Sequence, residues 1–241
     1  MSKFSLITLI LVLGFLGGCA TKYVVPGNRF MTPETLGDSF RGQFDFQQTS
    51  ANQLTINTSS GDVDNGVLYS DMSRSAFFYA NSFADQFDLF WAHLGAGNSL
   101  IGGKFQFIGD SRARLTTGHK FAVALGFGGN EHETEDKTVE FNLSASEILS
   151  LYGFRMNPFF MPYASFSFAQ YDFKGKLKMA DPALNGLKPH FKTKIYSLSG
   201  GLEVSYYALI IKIESTFQQV ETTKTKDKNR LIFGYSVGLN W

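Results

Sequence analysis

A closed, antiparallel, up-and-down transmembrane β-barrel of about ten strands is the all-β architecture this sequence predicts, on three observations. The chain is rich in aromatics (15%) and in glycine (24 of 241 residues) yet poor in charge (18%). Its mean hydropathy is only -0.07. From residue 38 onward, large apolar residues alternate with small or polar ones at a period of two. Soluble domains average about 25% charged residues. A helical membrane protein would be far more hydrophobic, and a disordered chain far less aromatic. Strands with one apolar face satisfy all three, because successive side chains of a strand point to opposite faces. The formal net charge of +1 carries no basic footprint and therefore excludes a nucleic-acid partner from the reading.

The first segment reads MSKFSLITLILVLGFLGGC. Lys3 precedes an apolar run, Phe4 to Leu16, that falls short of the roughly 20 residues of a spanning helix. This is the pattern of a secretory signal peptide. Its end, Leu16-Gly17-Gly18-Cys19, resembles the bacterial lipobox. The resemblance implies cleavage before Cys19, a diacylglycerol on its sulfur and an acyl chain on its amine. Ala20, where an aspartate would imply retention at the inner membrane, implies sorting to the outer membrane. Cys19 is the only cysteine, so it has no internal disulfide partner. Residues 1–18 are thus expected to be the signal and 19–37 a lipid-anchored periplasmic tether. Pro26, Gly27, Asn28 and Pro33 interrupt any regular element there. Residues 38–241 are expected to form the barrel.

The alternation is clearest near the C-terminus. Tyr196, Leu198, Leu202, Val204 and Tyr206 share one face, opposite Ser197, Ser199, Glu203 and Ser205. Ile211, Ile213 and Phe217 oppose Lys212, Glu214 and Gln218, and Leu231, Phe233, Tyr235, Val237 and Leu239 oppose Gly234, Ser236 and Gly238. Earlier segments repeat the pattern: Phe44 and Phe46 against Asp45, Leu89 and Trp91 against Asp88, Phe105 and Phe107 against Lys104. In the stretch 138–156 the apolar phase changes near Ser146, which predicts a bulge. Segment 49–72 either extends the first hairpin or adds a strand pair, giving twelve strands; ten is preferred. Tight connections at 83–85, 157–159 and around Tyr207 largely alternate with longer ones at 49–72, 130–137, 175–190 and 221–229. Outer-membrane barrels have short periplasmic turns and longer outer loops. An even strand number then puts both termini on the periplasmic side.

A soluble lipocalin-like barrel is the structural rival, because it also alternates. The faces decide against it: the polar faces are filled with Gly, Ala and Ser and carry few charges, unlike a soluble surface. The final residue, Trp241, is in phase with Leu239 and Tyr235. A last strand ending on an aromatic resembles the signal read by the barrel-assembly machinery, and the lipobox implies the lipoprotein-sorting machinery as a second partner. The stretch FADQFDLFWAHLGAGNSLIGGKFQFIG (83–109) resembles a hairpin of bacterial outer-membrane barrel proteins, a resemblance that implies no activity.

Charges facing lipid near the midplane cost about 2–4 kcal/mol for Arg or Lys, so Arg41, Asp45, Asp88, Lys104, Arg155, Glu203, Lys212 and Glu214 are expected to point inward and pair. Glu140 is a further inward candidate. The expected role is structural or surface-interacting, with a narrow or plugged lumen; a small-solute channel comes second and a lipid-modifying enzyme third. His93 and His119 are read as interface residues, and His132 and His190 as loop residues, so no catalytic residue is assigned. The acidic run 131–136 lacks the glycine and ligand spacing of a calcium loop, and no metal or other cofactor is expected. Arg112 and Arg114 are placed in a periplasmic turn facing headgroups or solvent, and the basic stretch 221–230 beside lipopolysaccharide phosphates.

Overall fold

A computed structural model describes residues 20–25, 27–38, 40–57, 63–94, 99–133, 139–177, 190–222 and 225–241. A short strand, β1 (Ala20–Val25), precedes the barrel. The wall is β2 (Gly42–Asn57), β3 (Val63–Ala84), β4 (Phe87–His93), β5 (Ser99–Ile108), β6 (Gly118–Glu133), β7 (Val139–Arg155), β8 (Phe160–Leu177), β9 (His190–Tyr206), β10 (Leu209–Thr222) and β11 (Thr225–Asn240). Each wall strand pairs antiparallel with its chain neighbours, and β11 returns to β2, closing the ring. The strand count is ten, and 49–72 proves to be an extension of the first hairpin.

One end of the barrel carries the tight connections: Asp85-Gln86, residues 109–117 with a 3-10 turn at Arg112–Arg114, residues 156–159, and Tyr207-Ala208. The ring closes there, where Gly42 N–H donates to Trp241 O (3.1 Å) and Trp241 N–H to Gly42 O (3.0 Å). This is the turn end; the opposite one is the loop end. Toward the loop end all the wall strands except β4 and β5 outrun the 9–11 residues that cross a bilayer at a tilt, reaching 22 residues in β3. Of the expected loops at 130–137 and 221–229, the described residues 130–133, 221–222 and 225–229 are strand. His132 lies within β6, and His190 opens β9, so neither is placed as expected.

Large apolar side chains point away from the lumen: Ile101, Phe127 and Phe233 are each about two-thirds exposed. A soluble barrel would put them inside. The expected bulge near Ser146 is absent, since Ser146 stays in continuous register with Phe127 and Gln170. The apolar phase changes there for another reason. Leu143, Leu149 and Leu151 face inward and are buried, while Asn142, Ser144 and Ser146 face outward.

Residues 20–36 depart most from expectation. They are not a tether. β1 pairs with the loop-end half of β2, Ala20 opposite Asn57 and Val25 opposite Asn52. The chain then enters the barrel, where Asn28, Phe30, Met31, Thr32, Glu34, Thr35 and Leu36 are all buried. It leaves at the turn end through Gly37, Asp38 and Phe40, all at positive φ. Ten extended residues reach about 33–36 Å, enough to cross a hydrocarbon core of about 30 Å. The segment lacks periodicity because it belongs to no sheet; its polar atoms are met by the wall. Consequently β1 and Trp241 lie at opposite ends of the barrel, and the expectation that both termini share one side fails.

Candidate functional site: a plugged, charge-neutral lumen

Inward-facing strand positions are of two kinds. Apolar ones are buried on β3 to β7, as Phe78, Ala80, Phe90, Ala92, Leu100, Ala122, Ala124, Leu149 and Leu151, and on β8 to β10, as Tyr171, Phe173, Ile195 and Val220. Polar ones include Ser165, Ser167, Ser197, Ser199, Thr216, Gln218, Gln47 and Thr49, on β8, β9, β10 and β2. The lumen segment is amphipathic in the matching sense. Its Met31 and Leu36 join the apolar cluster. Asn28 meets the polar positions: its side-chain amide donates to Thr216 Oγ1 (2.9 Å), and its side-chain oxygen accepts from Thr49 Oγ1 (2.7 Å).

Toward the turn end Glu34 is the centre of the charge network. Its carboxylate accepts two bonds from Arg155, from Nε (2.6 Å) and Nη2 (2.5 Å). Lys120 Nζ lies 3.7 Å away and Arg112 Nη2 3.9 Å away. Glu203 accepts from Arg112 (2.6 Å) and Arg155 (2.8 Å) on the far side. Lys104 pairs with Asp88 (3.2 Å) and donates to the Glu34 carbonyl (2.5 Å). Asp88 in turn accepts from Leu36 N–H at 3.1 Å. Thr35 N–H donates to Gln106 (2.7 Å). Lys212 pairs with Asp45 (2.6 Å), which also accepts from Gln43.

Toward the loop end the polarity reverses. Arg29 grips Glu147 through Nε, at 2.7 and 3.0 Å. Backbone N–H groups of Arg29 and Phe30 donate to the two oxygens of Glu214, at 3.0 and 2.9 Å. Tyr163 O–H donates to Glu214 as well (3.1 Å). Glycine makes the passage possible. A Cβ at Gly234 would lie 2.6 Å from the Phe30 ring and 2.7 Å from Asn28 Oδ1, and one at Gly153 would lie 2.9 Å from Pro33.

The buried charges cancel among the described residues. Six acidic side chains (Glu34, Asp45, Asp88, Glu147, Glu203, Glu214) face six basic ones (Arg29, Lys104, Arg112, Lys120, Arg155, Lys212). Counted over these described residues, the lumen therefore carries no net charge. Burying charge is tolerable only when each group is paired and hydrogen-bonded. Here the pairing is largely completed by the lumen segment.

Of the charges expected inside, Asp45, Asp88, Lys104, Arg155, Glu203, Lys212 and Glu214 are buried in the lumen. Arg41 is not; it is half exposed at the turn end, 3.5 Å from Asp38. Its place just before β2, outside the alternation, explains the difference. Glu140 opens β7, where no side chain is described. Arg112, expected in a surface turn, folds into the lumen mouth because the 3-10 turn aims it at Glu203; Arg114 stays outside, with Asp85 (2.9 Å). Sequence reasoning missed Arg29, Glu34, Lys120 and Glu147. Lys120 and Glu147 sit on inward positions of strands already identified, so alternation carried their signal; Arg29 and Glu34 lie where there is no period to read. Tyr235, Leu239 and Trp241 are exposed on the outer face, Trp241 beside the Tyr79 ring at 6.3 Å. His93 and His119 bond Ser99 and Tyr152, and His190 bonds Asp172 at 2.6 Å. Cys19, the heart of the acidic run (134–136) and part of the basic stretch (223–224) lie outside the described residues.

No protein-family model matches this sequence, and no curated protein matches it. Solved structures show a loose likeness. The attachment invasion locus protein Ail of Yersinia pestis, in complex with the heparin analogue sucrose octasulfate, aligns at 8% identity with a TM-score of 0.42, over 85% of this chain and 100% of that one. Neisserial surface protein A aligns at 13% identity and 0.37, over 84% and 96%. A loop-deletion form of the outer-membrane protein OmpT of Vibrio cholerae aligns at 11% and 0.28, over 92% and 99%. At these values the reading of the chain rests on its own wall and lumen.

Proposed function

We infer that the protein is a bacterial outer-membrane β-barrel lipoprotein whose lumen is closed by its own N-terminal segment, and that its role is structural or surface-interacting rather than conductive or catalytic. The observation that carries this reading is the occupied lumen. A segment crossing from one end to the other, bonded along its length, leaves a solute no lined path among the described residues. The outer face supports the membrane setting: an apolar surface rich in Phe, Tyr and Trp is costly in water and stable in hydrocarbon. In this reading Trp241, with Leu239 and Tyr235, presents the terminal strand to the barrel-assembly machinery. Cys19 carries the diacylglycerol and amide-linked acyl chains, and the lipoprotein-sorting machinery delivers it. Outer-membrane lipid and lipopolysaccharide are the standing partners, and the C-terminus faces the periplasm.

Planar-bilayer recording of the purified full chain tests this reading. The expected trace is flat at moderate voltage. Steady unitary steps from the wild-type protein would overturn the closed-lumen reading in favour of a small-solute channel.

A further inference from the structure

The direction of the lumen segment says where the N-terminus goes. The chain pairs with β2 at the loop end, Ala20 opposite Asn57, descends through Asn28, Phe30 and Glu34, and emerges beside Gly42 at the turn end. Cys19 is bonded directly to Ala20. In outer-membrane barrels the end with the short connections faces the periplasm. Here that end also holds Trp241, and the opposite end carries strands that run far past the bilayer.

We propose that the protein threads its own N-terminus through its barrel, so that β1 and the lipid-bearing Cys19 emerge on the cell-surface side of the outer membrane. The barrel is then the conduit that carries its own lipoprotein terminus across, and the acyl chains would insert in the outer leaflet. This rests on the outer-membrane lipoprotein reading above and goes beyond it, since that reading holds with the terminus on either side.

The wall shows how such a thread is enclosed. Pairing of β2 with β11 runs only from Gln43–Asn240 to Thr49–Gly234. The adjoining β10–β11 ladder extends from Leu209–Leu239 to Thr222–Thr225, while the β3–β4 and β4–β5 ladders are as short as the seam. What sets the seam apart is that it joins the strand that follows directly on the lumen segment to β11, at the other end of the strand order. Closing it last shuts the wall around a segment already in place. Beyond Thr49, β2 pairs on that side with β1 instead of β11, so the emerging terminus occupies the upper part of the seam. A lipidated cysteine thus need never be pulled through a finished, filled barrel.

Variants that each add one cysteine to the full chain, expressed in a Gram-negative host and probed with a membrane-impermeant maleimide, test the proposal. Lys22→Cys reports β1, Asn229→Cys the loop end of β11, and Ala208→Cys the turn end. Lys22→Cys and Asn229→Cys are expected to react on intact cells, and Ala208→Cys only after the outer membrane is permeabilised. The unsubstituted protein, its one thiol acylated, stays unlabelled. Should Asn229→Cys react on intact cells while Lys22→Cys needs permeabilisation, threading is overturned and the membrane barrel stands. Should Ala208→Cys react on intact cells and Asn229→Cys not, the orientation is inverted and the proposal fails. Recovery of all variants in the soluble fraction, or a labelled wild-type thiol, would sink the lipoprotein reading instead. If Lys22→Cys is silent in both states, a Thr21→Cys/Ile56→Cys pair decides, since these residues are register partners within disulfide reach. Its formation places β1 at the loop end, and its failure under mild oxidation overturns the proposal.

Discussion

At the turn end, the lumen segment offers one carboxylate to three fixed cations; at the loop end it offers one guanidinium and two backbone N–H groups to two fixed carboxylates. The wall is therefore charged in opposite senses at the two ends. Without the segment, Arg112 and Arg155 would share Glu203, Lys120 would be left with the Asp110 carbonyl and the Thr116 hydroxyl, and Glu147 and Glu214 would have no cation described within bonding distance. The segment is the electrostatic complement of the wall, read from end to end. Reversing its direction would set Glu34 among carboxylates and Arg29 among arginines, so charge fixes the direction of the thread as well as its presence.

The two ends should not respond alike when broken. Glu34→Ala leaves buried cations uncompensated, and removing one partner of a buried pair typically costs about 3–5 kcal/mol. Arginine cannot shed its charge, so the structure must expel the segment or admit water. The expected outcome is a large drop in the temperature at which the folded form is lost on a heat-modifiability gel, together with conductance steps absent from the wild type. Unchanged heat resistance would mean that Glu34 is not the anchor its contacts describe.

Arg29→Ala probes the loop end and should cost less. It bares Glu147, but the bonds to Glu214 come from the backbone and survive the substitution. Its deficit in heat resistance, measured against the wild type, should therefore be smaller than that of Glu34→Ala. Equal deficits in the two variants would erase the distinction between the ends.

The same contrast explains what could be read in advance. Lipid outside and packed lumen inside impose opposite demands on alternate residues, so the wall was legible residue by residue. Asp88 and Lys104 face each other directly across β4 and β5, and their pairing could be anticipated from the hairpin alone. Asp45 and Lys212 pair across an intervening strand, which needs the closed ring. The segment 27–36 was opaque because its structure is induced by the wall and leaves no period of its own. Its trace lay in the wall instead: inward Gly153, Gly234 and Gly238, with runs of Ser and Ala, leave more room than ten strands need to fill a narrow lumen. An inner face that is too small calls for an occupant.

Gly234 turns that last point into the mildest of these tests. It lies at the top of the β2–β11 seam, where a methyl group would meet the Phe30 ring, Asn28 Oδ1 and the Gln48 carbonyl, each within 2.7 Å. Gly234→Ala adds no charge and removes no hydrogen bond, so it acts through space alone. Overpacking of this kind costs about 1–3 kcal/mol, below the cost at either charged end. Because Phe30 and Asn28 belong to the loop half of the segment, the strain should loosen that half and leave the Glu34 anchor closed. The expected result is a small loss of heat resistance with no conductance. Truncating the ring it strikes, in Gly234→Ala/Phe30→Ala, should recover part of the loss. A double variant that loses as much as its two single variants together would show that Gly234 answers to the strand ladder and not to the lumen segment.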